Sequence, residues 1–389
     1  MSGLNRPSLK ELNVVLDEPS SVWRSRQERF TTMSVSKKLL TAFLAGGVGA
    51  GLYKAYSVLD FDTCEDARLF VSTEDNWNLS VYHYRPSGSP KYPFPIVMSH
   101  GFAGSKLSFD LGVGHSLARY LADSGFNVFT LDLRGRGQSW PSSGPDRKLQ
   151  WSFDDFVTKD LPAVMAKACD ISGASEGFWV GLEMSGQVLY AACISRTTDQ
   201  VRGAVTLGSP VFTPSSAHVP GITATPRVQF KGRIPFKAGA RLGGPILAAT
   251  HSSQLETSFR PANTDPLVTA RFMWNGVFDE SSAIAEQFLD WVENKTMRDR
   301  AGTIEWSDHL DEIKLPLLIM AAAHDLQRPP EATREAYEAF GSLDKTFILA
   351  GKESGYSVDF GHDDLISARA AKEEVWPQIR DWLAGHSVI

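Results

Sequence analysis

The sequence contains few cysteines and no strong excess of charge of either sign. Among 389 residues there are three cysteines, and this odd number at wide spacing fits neither a disulfide framework nor a zinc site. We interpret Cys64, Cys169 and Cys193 as small buried apolar residues. The 39 basic and 45 acidic residues give a formal net charge of −6, so nucleic acid is not expected as a partner. No cofactor or metal motif is recognisable, and we expect neither group.

The sequence also lacks an obvious membrane-spanning segment. A spanning helix needs about 20 apolar residues, whereas the uncharged run at residues 39–53, LLTAFLAGGVGAGLY, is shorter and is flanked by lysines. This run belongs to an N-terminal extension, residues 1–60, which precedes a domain predicted over residues 61–389. Two interpretations of the extension stay open. It associates with a membrane, or it forms a helix or hairpin on the domain of an otherwise cytoplasmic protein.

Serine is absent from one position where a known pattern would place it. Residues 177–190, GFWVGLEMSGQVLY, predict a buried strand, a tight turn of small residues and a helix. This order is typical of a nucleophile elbow, whose usual pattern is Gly-x-Ser-x-Gly because the strained turn has no room for large flanking side chains. Gly181 and Ser185 meet that demand for small residues, and Glu183 occupies the central position.

Strands and helices alternate along most of the chain after residue 66. A hairpin over residues 68–84 is followed by buried strands and amphipathic helices, which predicts a mostly parallel sheet covered on both faces. Regularity lapses at residues 210–313, a stretch too long for a simple connection. We interpret these residues as an inserted lid, rich in Pro, Gly and Ser at first and helical from about residue 265.

The first half of this lid carries an excess of basic residues. Residues 227–241 interleave arginine and lysine with apolar side chains. Such a segment is suited to contact with a membrane surface or an anionic lipid. It is equally suited to a solvated loop whose basic side chains reach into water.

Four motifs carry a resemblance to a known superfamily. They are HGF at residues 100–102, DLRGRGQS at 132–139, WSFDDFVTKDLP at 151–162 and FGHDDL at 360–365. In this order they resemble the α/β-hydrolase superfamily, specifically its acid-lipase and esterase branch. The resemblance extends from about residue 67 to residue 389. It implies an α/β-hydrolase fold and an enzyme that hydrolyses a hydrophobic ester or lipid, with a lid that shapes an apolar acyl pocket.

The resemblance also implies where the site residues lie. Asp325 follows a predicted strand at the position of the family's catalytic acid, and His362 follows the last strand at the position of its catalytic histidine. The backbone N–H groups of Phe102 and Met184 correspond to the oxyanion hole. We interpret His100 as a structural hydrogen-bonding residue.

Three roles for Glu183 stay open. It acts as a covalent nucleophile, as an aspartate does in the related haloalkane dehalogenases and epoxide hydrolases, with His362 delivering water. Alternatively it is the general base of a lyase or isomerase, or it marks a fold retained for binding a lipid or a partner. Both analogies are incomplete here. Met184 replaces the tryptophan that follows the nucleophile in dehalogenases, and residues 211–300 contain no tyrosine to activate an epoxide. Ser185 is disfavoured as a displaced nucleophile because it begins the helix.

Overall fold

A computed structural model describes residues 57–144, 151–211 and 232–388. The apolar run at residues 39–53 and residues 227–231 of the basic lid segment lie outside these ranges. Within the described ranges, no helix is both long enough and apolar enough to cross a membrane.

Nine strands of the described chain form one mixed sheet. Two short strands form a ribbon within residues 210–313, the segment predicted to be a lid, which is called the lid below for brevity. The strands are β1 Ala67–Ser72, β2 Trp77–Tyr84, β3 Ile96–Ser99, β4 Val128–Leu131, β5 Trp140–Pro141, β6 Gly177–Leu182, β7 Val201–Leu207, β8 Arg233–Ile234, β9 Glu280–Ser281, β10 Leu317–Ala322 and β11 Lys345–Ala350. The main sheet has the order β1-β2-β4-β3-β6-β7-β10-β11, with β5 paired to β2.

The sheet begins antiparallel and becomes parallel. Strand β2 pairs antiparallel with both β1 and β4. Every later neighbour pair along the order, from β4–β3 to β10–β11, is parallel. The carboxyl ends of the parallel strands therefore meet at one edge of the sheet, which is where ligands bind in folds of this kind. The predicted hairpin and the mostly parallel sheet are confirmed.

Helices cover both faces of this sheet. They are α1 Leu117–Asp123, α2 Phe153–Asp155, α3 Leu161–Ser172, α4 Met184–Ile194, α5 Phe236–Ala249, α6 Pro266–Arg271, α7 Ser282–Asn294, α8 Pro330–Ala339, α9 Asp364–Ser367, α10 Ala371–Glu374 and α11 Trp376–Gly385. A five-residue π-helical turn, Phe156–Asp160, joins α2 to α3.

The alternation of side chains along β6 explains why this strand is apolar throughout. All six residues of β6 are buried. Trp179 belongs to the core beneath α3 and α4, whereas Phe178 and Val180 belong to the core on the opposite face, beneath α1 and α11. A strand buried on both faces needs apolar residues at every position, as parallel sheets usually do. The elbow that follows β6 is thus fixed by two cores.

The helical part of the lid begins earlier than the sequence suggested. Helix α5 spans Phe236–Ala249, so the expectation of helix only from about residue 265 is wrong. Gly239, Gly243, Gly244 and the internal Pro245 lower the intrinsic helix propensity of this segment. Packing overrides that deficit: a Cβ added at Gly244 would lie 2.4 Å from the Cβ of Met273, so the glycine permits close approach to the next lid turn.

Buried polar contacts tie the lid to the sheet. Glu280 of the lid forms an ion pair with Arg136, and both side chains are fully buried. The hydroxyl of Ser281 donates to the carbonyl of Trp151 at 2.6 Å. The carbonyl of Leu59, near the start of the described chain, accepts a 3.0 Å hydrogen bond from the side-chain amide of Asn275. The lid is therefore fixed to the core and also packs against the residues that lead into the domain.

Candidate active site

Glu183 occupies a strained turn between β6 and α4. Its backbone angles are φ 51° and ψ −112°, a conformation that non-glycine residues rarely adopt. The turn is tight enough that a Cβ added at Gly181 would lie 2.7 Å from the backbone N of Gly186. Local geometry therefore matches the predicted nucleophile elbow, and the Glu183 side chain projects from its apex.

The carboxylate of Glu183 is held by a cation and by backbone amides. Oε2 accepts a hydrogen bond of 2.6 Å from the Phe102 N–H, and the Met184 N–H also donates to the carboxylate. Oε1 forms an ion pair with the Arg328 guanidinium. The two oxygens thus have different partners, and the amides of the predicted oxyanion hole contact Glu183 itself.

These contacts keep Glu183 ionised. Burial by itself would raise the pKa of the carboxyl, because only 4% of the residue is exposed. The positive charges of Arg328 and His362, together with the two amide donors, outweigh burial and lower the net pKa below its usual value. The result is a buried carboxylate of low proton affinity.

Asp325 and His362 form the second part of the site. Nδ1–H of His362 donates to Oδ2 of Asp325 at 2.6 Å, and 4% and 3% of the two residues are exposed. Oδ1 of Asp325 accepts the backbone N–H groups of Gln327 and Arg328 at 2.9 and 2.7 Å. The loop that carries the acid therefore folds around its carboxylate and places Arg328 beside Glu183.

Negative charge surrounds the His362 ring. Burial alone would lower the pKa of the imidazole, but Asp325, Asp363 and Glu183 raise it to about 9. Burial and the carboxylates of Asp325, Asp364 and Glu183 raise the pKa of Asp363 to about 7, against the opposing charge of His362. His362 is consequently an imidazolium at neutral pH, and only a minor fraction of it is free to accept a proton.

The loop that carries His362 is secured from two sides. The backbone N–H of His324 donates to the carbonyl of Phe360 at 2.8 Å, which joins the loop to the acid loop. Asp364 accepts hydrogen bonds from the Gly361 N–H and from the side-chain amide of lid residue Asn263, at 2.9 and 2.8 Å. The lid thus helps to fix the position of the histidine.

Glu183, Arg328, His362 and Asp363 line one cavity of about 460 Å³. Its volume is within the range of small-molecule sites. Apolar residues of the lid also line it: Phe236, Ala240, Leu247, Phe259, Phe272, Met273 and Val277. The cavity therefore combines charged side chains with an apolar lining suited to a hydrocarbon chain.

Ser185 and His100 lie near Glu183 and make structural hydrogen bonds. The hydroxyl of Ser185 donates to the carbonyl of His100 at 2.5 Å and lies 2.6 Å from the Ser99 hydroxyl, in the β3–β6 interface. His100 is fully buried, and burial lowers its pKa to about 3. Its Nδ1 contacts the Gly101 carbonyl at 2.8 Å and its Nε2 accepts the Leu133 N–H at 3.1 Å. Both residues hold the loop that supplies the Phe102 amide.

Sequence analysis missed Arg328. This residue is 2% exposed and lies 145 positions away from its partner Glu183. One signal was available: an ionised glutamate in a buried elbow requires a cation, and Arg328 stands three residues after the predicted acid. In the described ranges, no cluster of three or more His, Cys, Asp or Glu side chains could hold a metal ion.

Comparisons with known proteins agree with this architecture. Lipase lipl-3 of Caenorhabditis elegans is 25% identical over 122 residues, which cover 28% of this chain and 30% of the lipase. The crystal structure of Paleococcus ferrophilus monoacylglycerol lipase has a TM-score of 0.54 at 17% identity and covers 79% of this chain and 99% of that one. A soluble variant of Saccharomyces cerevisiae monoglyceride lipase also has a TM-score of 0.54, at 16% identity, with coverage of 85% and 98%.

The match to a family model is broader than the sequence match to the nematode lipase. The model described as "Serine aminopeptidase, S33" matches residues 95–352, which include Glu183, Asp325 and the whole of residues 210–313. This match covers more than half of the 389-residue chain. The α/β-hydrolase fold and the assignment to an enzyme family are confirmed. The chain belongs to the serine aminopeptidase S33 family.

Proposed function

We propose that this protein hydrolyses a hydrophobic ester or lipid, with Glu183 as the covalent nucleophile and His362 as the base that activates water. One observation carries the proposal: the ionised Glu183 carboxylate stands at the apex of the elbow and borders the same apolar cavity as His362. Asp325 orients His362 through its hydrogen bond. The apolar lining of the cavity supports a hydrophobic substrate, and the relationship to a nematode lipase agrees with that class.

The reaction takes two steps. First, Oε1 of Glu183 bonds to an electrophilic carbon of the substrate, and the leaving oxygen departs towards the positive charges of Arg328 and His362. Second, neutral His362 takes a proton from water, and the hydroxide adds to Cδ of Glu183. Negative charge then develops on Oε2, which already accepts the Phe102 N–H, and the Met184 N–H also donates to this carboxyl group. Collapse expels the substrate oxygen, which takes the proton back from His362. The hydroxyl left on Cδ then loses its proton to solvent, which restores the Glu183 carboxylate.

The lowered pKa of Glu183 favours this role over general-base catalysis. An effective general base has a pKa near the working pH, whereas Arg328, His362 and two amides keep the pKa of Glu183 low despite its burial. The same amides are well placed for a second step that builds an oxyanion on Glu183 itself. A lyase or isomerase that uses Glu183 as a base forms no oxyanion on Glu183, so it would not need these two amide donors.

The test is turnover of short- to long-chain aryl and glycerol esters by the wild type, Glu183→Gln and Glu183→Ser. We expect wild-type turnover to fall by about 1,000-fold in Glu183→Gln, while Glu331→Gln, a change at an exposed glutamate, leaves turnover unchanged. An inert wild type beside an active Glu183→Ser would contradict the proposal. It would assign the site to binding instead of catalysis.

Contact with a lipid surface is the second part of the proposal, and α5 supports it. One face of α5 borders the cavity through Phe236 and Leu247. Another exposes Leu242 and Ile246, which are 73% and 56% exposed. Leu59 packs with residues of this lid region, so the segment that precedes residue 57 joins the domain beside α5. A lipid surface on this side would meet both the apolar helix face and the cavity.

A vesicle-binding assay tests this contact. The double substitution Leu242→Ser/Ile246→Ser should lower partitioning to vesicles of phosphatidylcholine and phosphatidylglycerol several-fold, by removing apolar area from the interface. Turnover of a water-soluble short-chain ester should not change. Leu343→Ser removes a fully exposed leucine from outside the lid and serves as the control. Equal partitioning of all three proteins would refute the contact.

A further inference from the structure

The second oxygen of Glu183 occupies the place where a substrate carbonyl oxygen would be stabilised. Hydrolases that attack an acyl carbon aim two amide N–H groups at the developing oxyanion. Here the Phe102 N–H donates to Oε2 at 2.6 Å, and the Met184 N–H also donates to the carboxylate. Oε2 packs so closely on the adjacent loop that a Cβ added at Gly101 would lie 2.7 Å from it. A substrate oxygen has no room beside these amides while Glu183 holds them.

A nucleophile can attack an ester at either of two carbons, and the position of Oε2 in the oxyanion hole favours one of them. Attack at the acyl carbon creates an oxyanion on the substrate. That oxyanion could not accept the two N–H groups, because they already donate to Glu183. Attack at the saturated carbon on the other side of the ester oxygen creates no tetrahedral oxyanion in the first step. The amides are then needed only in the second step, when the oxyanion forms on Glu183 and Oε2 is in position to receive them.

We propose that the substrate is a long-chain β-lactone, an inference that rests on the proposed function. Glu183 opens the ring at the saturated carbon that is bonded to the ring oxygen. A bond forms between Oε1 and that carbon, the bond from the carbon to the ring oxygen breaks, and its electron pair leaves with the ring oxygen as a carboxylate. No proton moves in this step. Unstrained esters react more slowly with a carboxylate at this carbon, whereas opening the four-membered ring releases strain. We therefore expect the lactone to be turned over faster than aryl or glycerol esters.

The positive charge of Arg328 suits a leaving group that departs as a carboxylate. Oε1 of Glu183 is the resting partner of the buried Arg328 guanidinium, and alkylation of Oε1 would neutralise that partner. Loss of a charged partner is costly for a buried cation. The carboxylate released from a β-lactone carries the displaced negative charge and can pair with Arg328 in turn. An ordinary ester attacked at its acyl carbon releases an alkoxide, which needs a proton as well as a cation.

The apolar lining accommodates the rest of such a substrate. Phe259, Phe272, Met273 and Val277 line the same cavity as the charged side chains. A hydrocarbon chain attached to the attacked ring carbon would lie along this lining, while the ring faces Glu183 and Arg328. In the second step, water adds to Cδ of Glu183 and the substrate departs as a hydroxy acid whose hydroxyl oxygen came from Oε1.

Isotope position and stereochemistry test this proposal together. An enantiopure β-lactone with a long alkyl chain on its saturated ring carbon is turned over many times in water enriched in oxygen-18. We expect the label in the hydroxyl group of the hydroxy acid and inversion at the attacked carbon. We expect neither with Glu183→Gln, and wild-type behaviour with Glu331→Gln, which changes an exposed glutamate.

The other outcomes separate this inference from the proposed function. Label in the carboxyl group with retention of configuration, dependent on Glu183, would overturn attack at the saturated carbon and leave Glu183-dependent hydrolysis in place. The same conclusion would follow if open-chain aryl esters were hydrolysed through Glu183 and the lactone were not. Turnover that is absent for both substrates, or unchanged in Glu183→Gln, would overturn both proposals.

Discussion

Oε1 of Glu183 and the guanidinium of Arg328 form an ion pair in the wall of the cavity, and 4% and 2% of the two residues are exposed. Neither charge has bulk water to stabilise it, so each depends on the other. The pair accounts for a glutamate that remains ionised in an apolar elbow. It also places a cation at the oxygen that would react.

Removal of Arg328 should reveal this dependence. Arg328→Met leaves the Glu183 carboxylate without its counter-charge, so we expect a loss of about 3–5 kcal/mol in the free energy of unfolding and a rise in the pKa of Glu183. The double variant Arg328→Met/Glu183→Gln should recover part of that loss, because it buries no charge at either position. Denaturant unfolding at neutral pH measures both effects.

Arg300→Met provides the control for that comparison, since the Arg300 side chain is about half exposed and pairs only loosely with Glu286. We expect it to change stability by less than about 1 kcal/mol. Strictly additive losses for Arg328→Met and Glu183→Gln in the double variant would contradict a coupled pair.

The pH dependence of turnover should follow His362. The second step needs neutral His362, whose pKa is about 9. If this step limits turnover, kcat rises with pH and a covalent intermediate accumulates at neutral pH. The rise should level off below about 9, because the bond to the substrate removes the Glu183 charge that helps to raise this pKa. A pH profile of kcat, with a pre-steady-state burst measured at each pH, tests this. A kcat that falls through the same range would contradict the role of His362 as base.

The charge of Asp363 should affect the pH at which kcat reaches half of its maximum. Its negative charge is one of the causes that raise the pKa of His362. Asp363→Asn removes that charge, so the midpoint of the kcat profile should move to lower pH. Asp344→Asn, which changes an exposed carboxylate paired with His386, should leave the midpoint in place. An unchanged or higher midpoint in Asp363→Asn would show that Asp363 does not influence the base.

The elbow should tolerate no side chain at Gly181. A Cβ at this position would lie 2.7 Å from three backbone atoms of the following turn, Gly186 N and the Ser185 carbonyl C and O. Gly181→Ala should therefore cost about 1–3 kcal/mol of stability and displace Glu183 enough to lower turnover. Thermal unfolding and ester turnover measure the two effects. Gly243→Ala, on a face of α5 where an added Cβ would meet no atom within 4 Å, is the comparison and should be neutral or stabilising.

The sequence predicted those parts of the site that depend on local order along the chain. The small residues around Glu183 indicated a strained turn, and the positions of Asp325 and His362 after successive strands placed them at one edge of a parallel sheet. Sequence reasoning missed what depends on tertiary packing. Arg328 meets Glu183 across 145 positions, and α5 forms despite three glycines and a proline because it packs on the lid turn at Met273.

The central claim, that Glu183 forms a covalent bond with the substrate, has one direct measurement. The enzyme turns over a hydrophobic ester many times in water enriched in oxygen-18, and the peptide that contains Glu183 is then isolated and its mass determined. We predict that this peptide gains oxygen-18 at the Glu183 carboxylate, and that enzyme incubated in the same water without substrate does not. Sustained turnover with an unlabelled Glu183 would contradict the covalent mechanism.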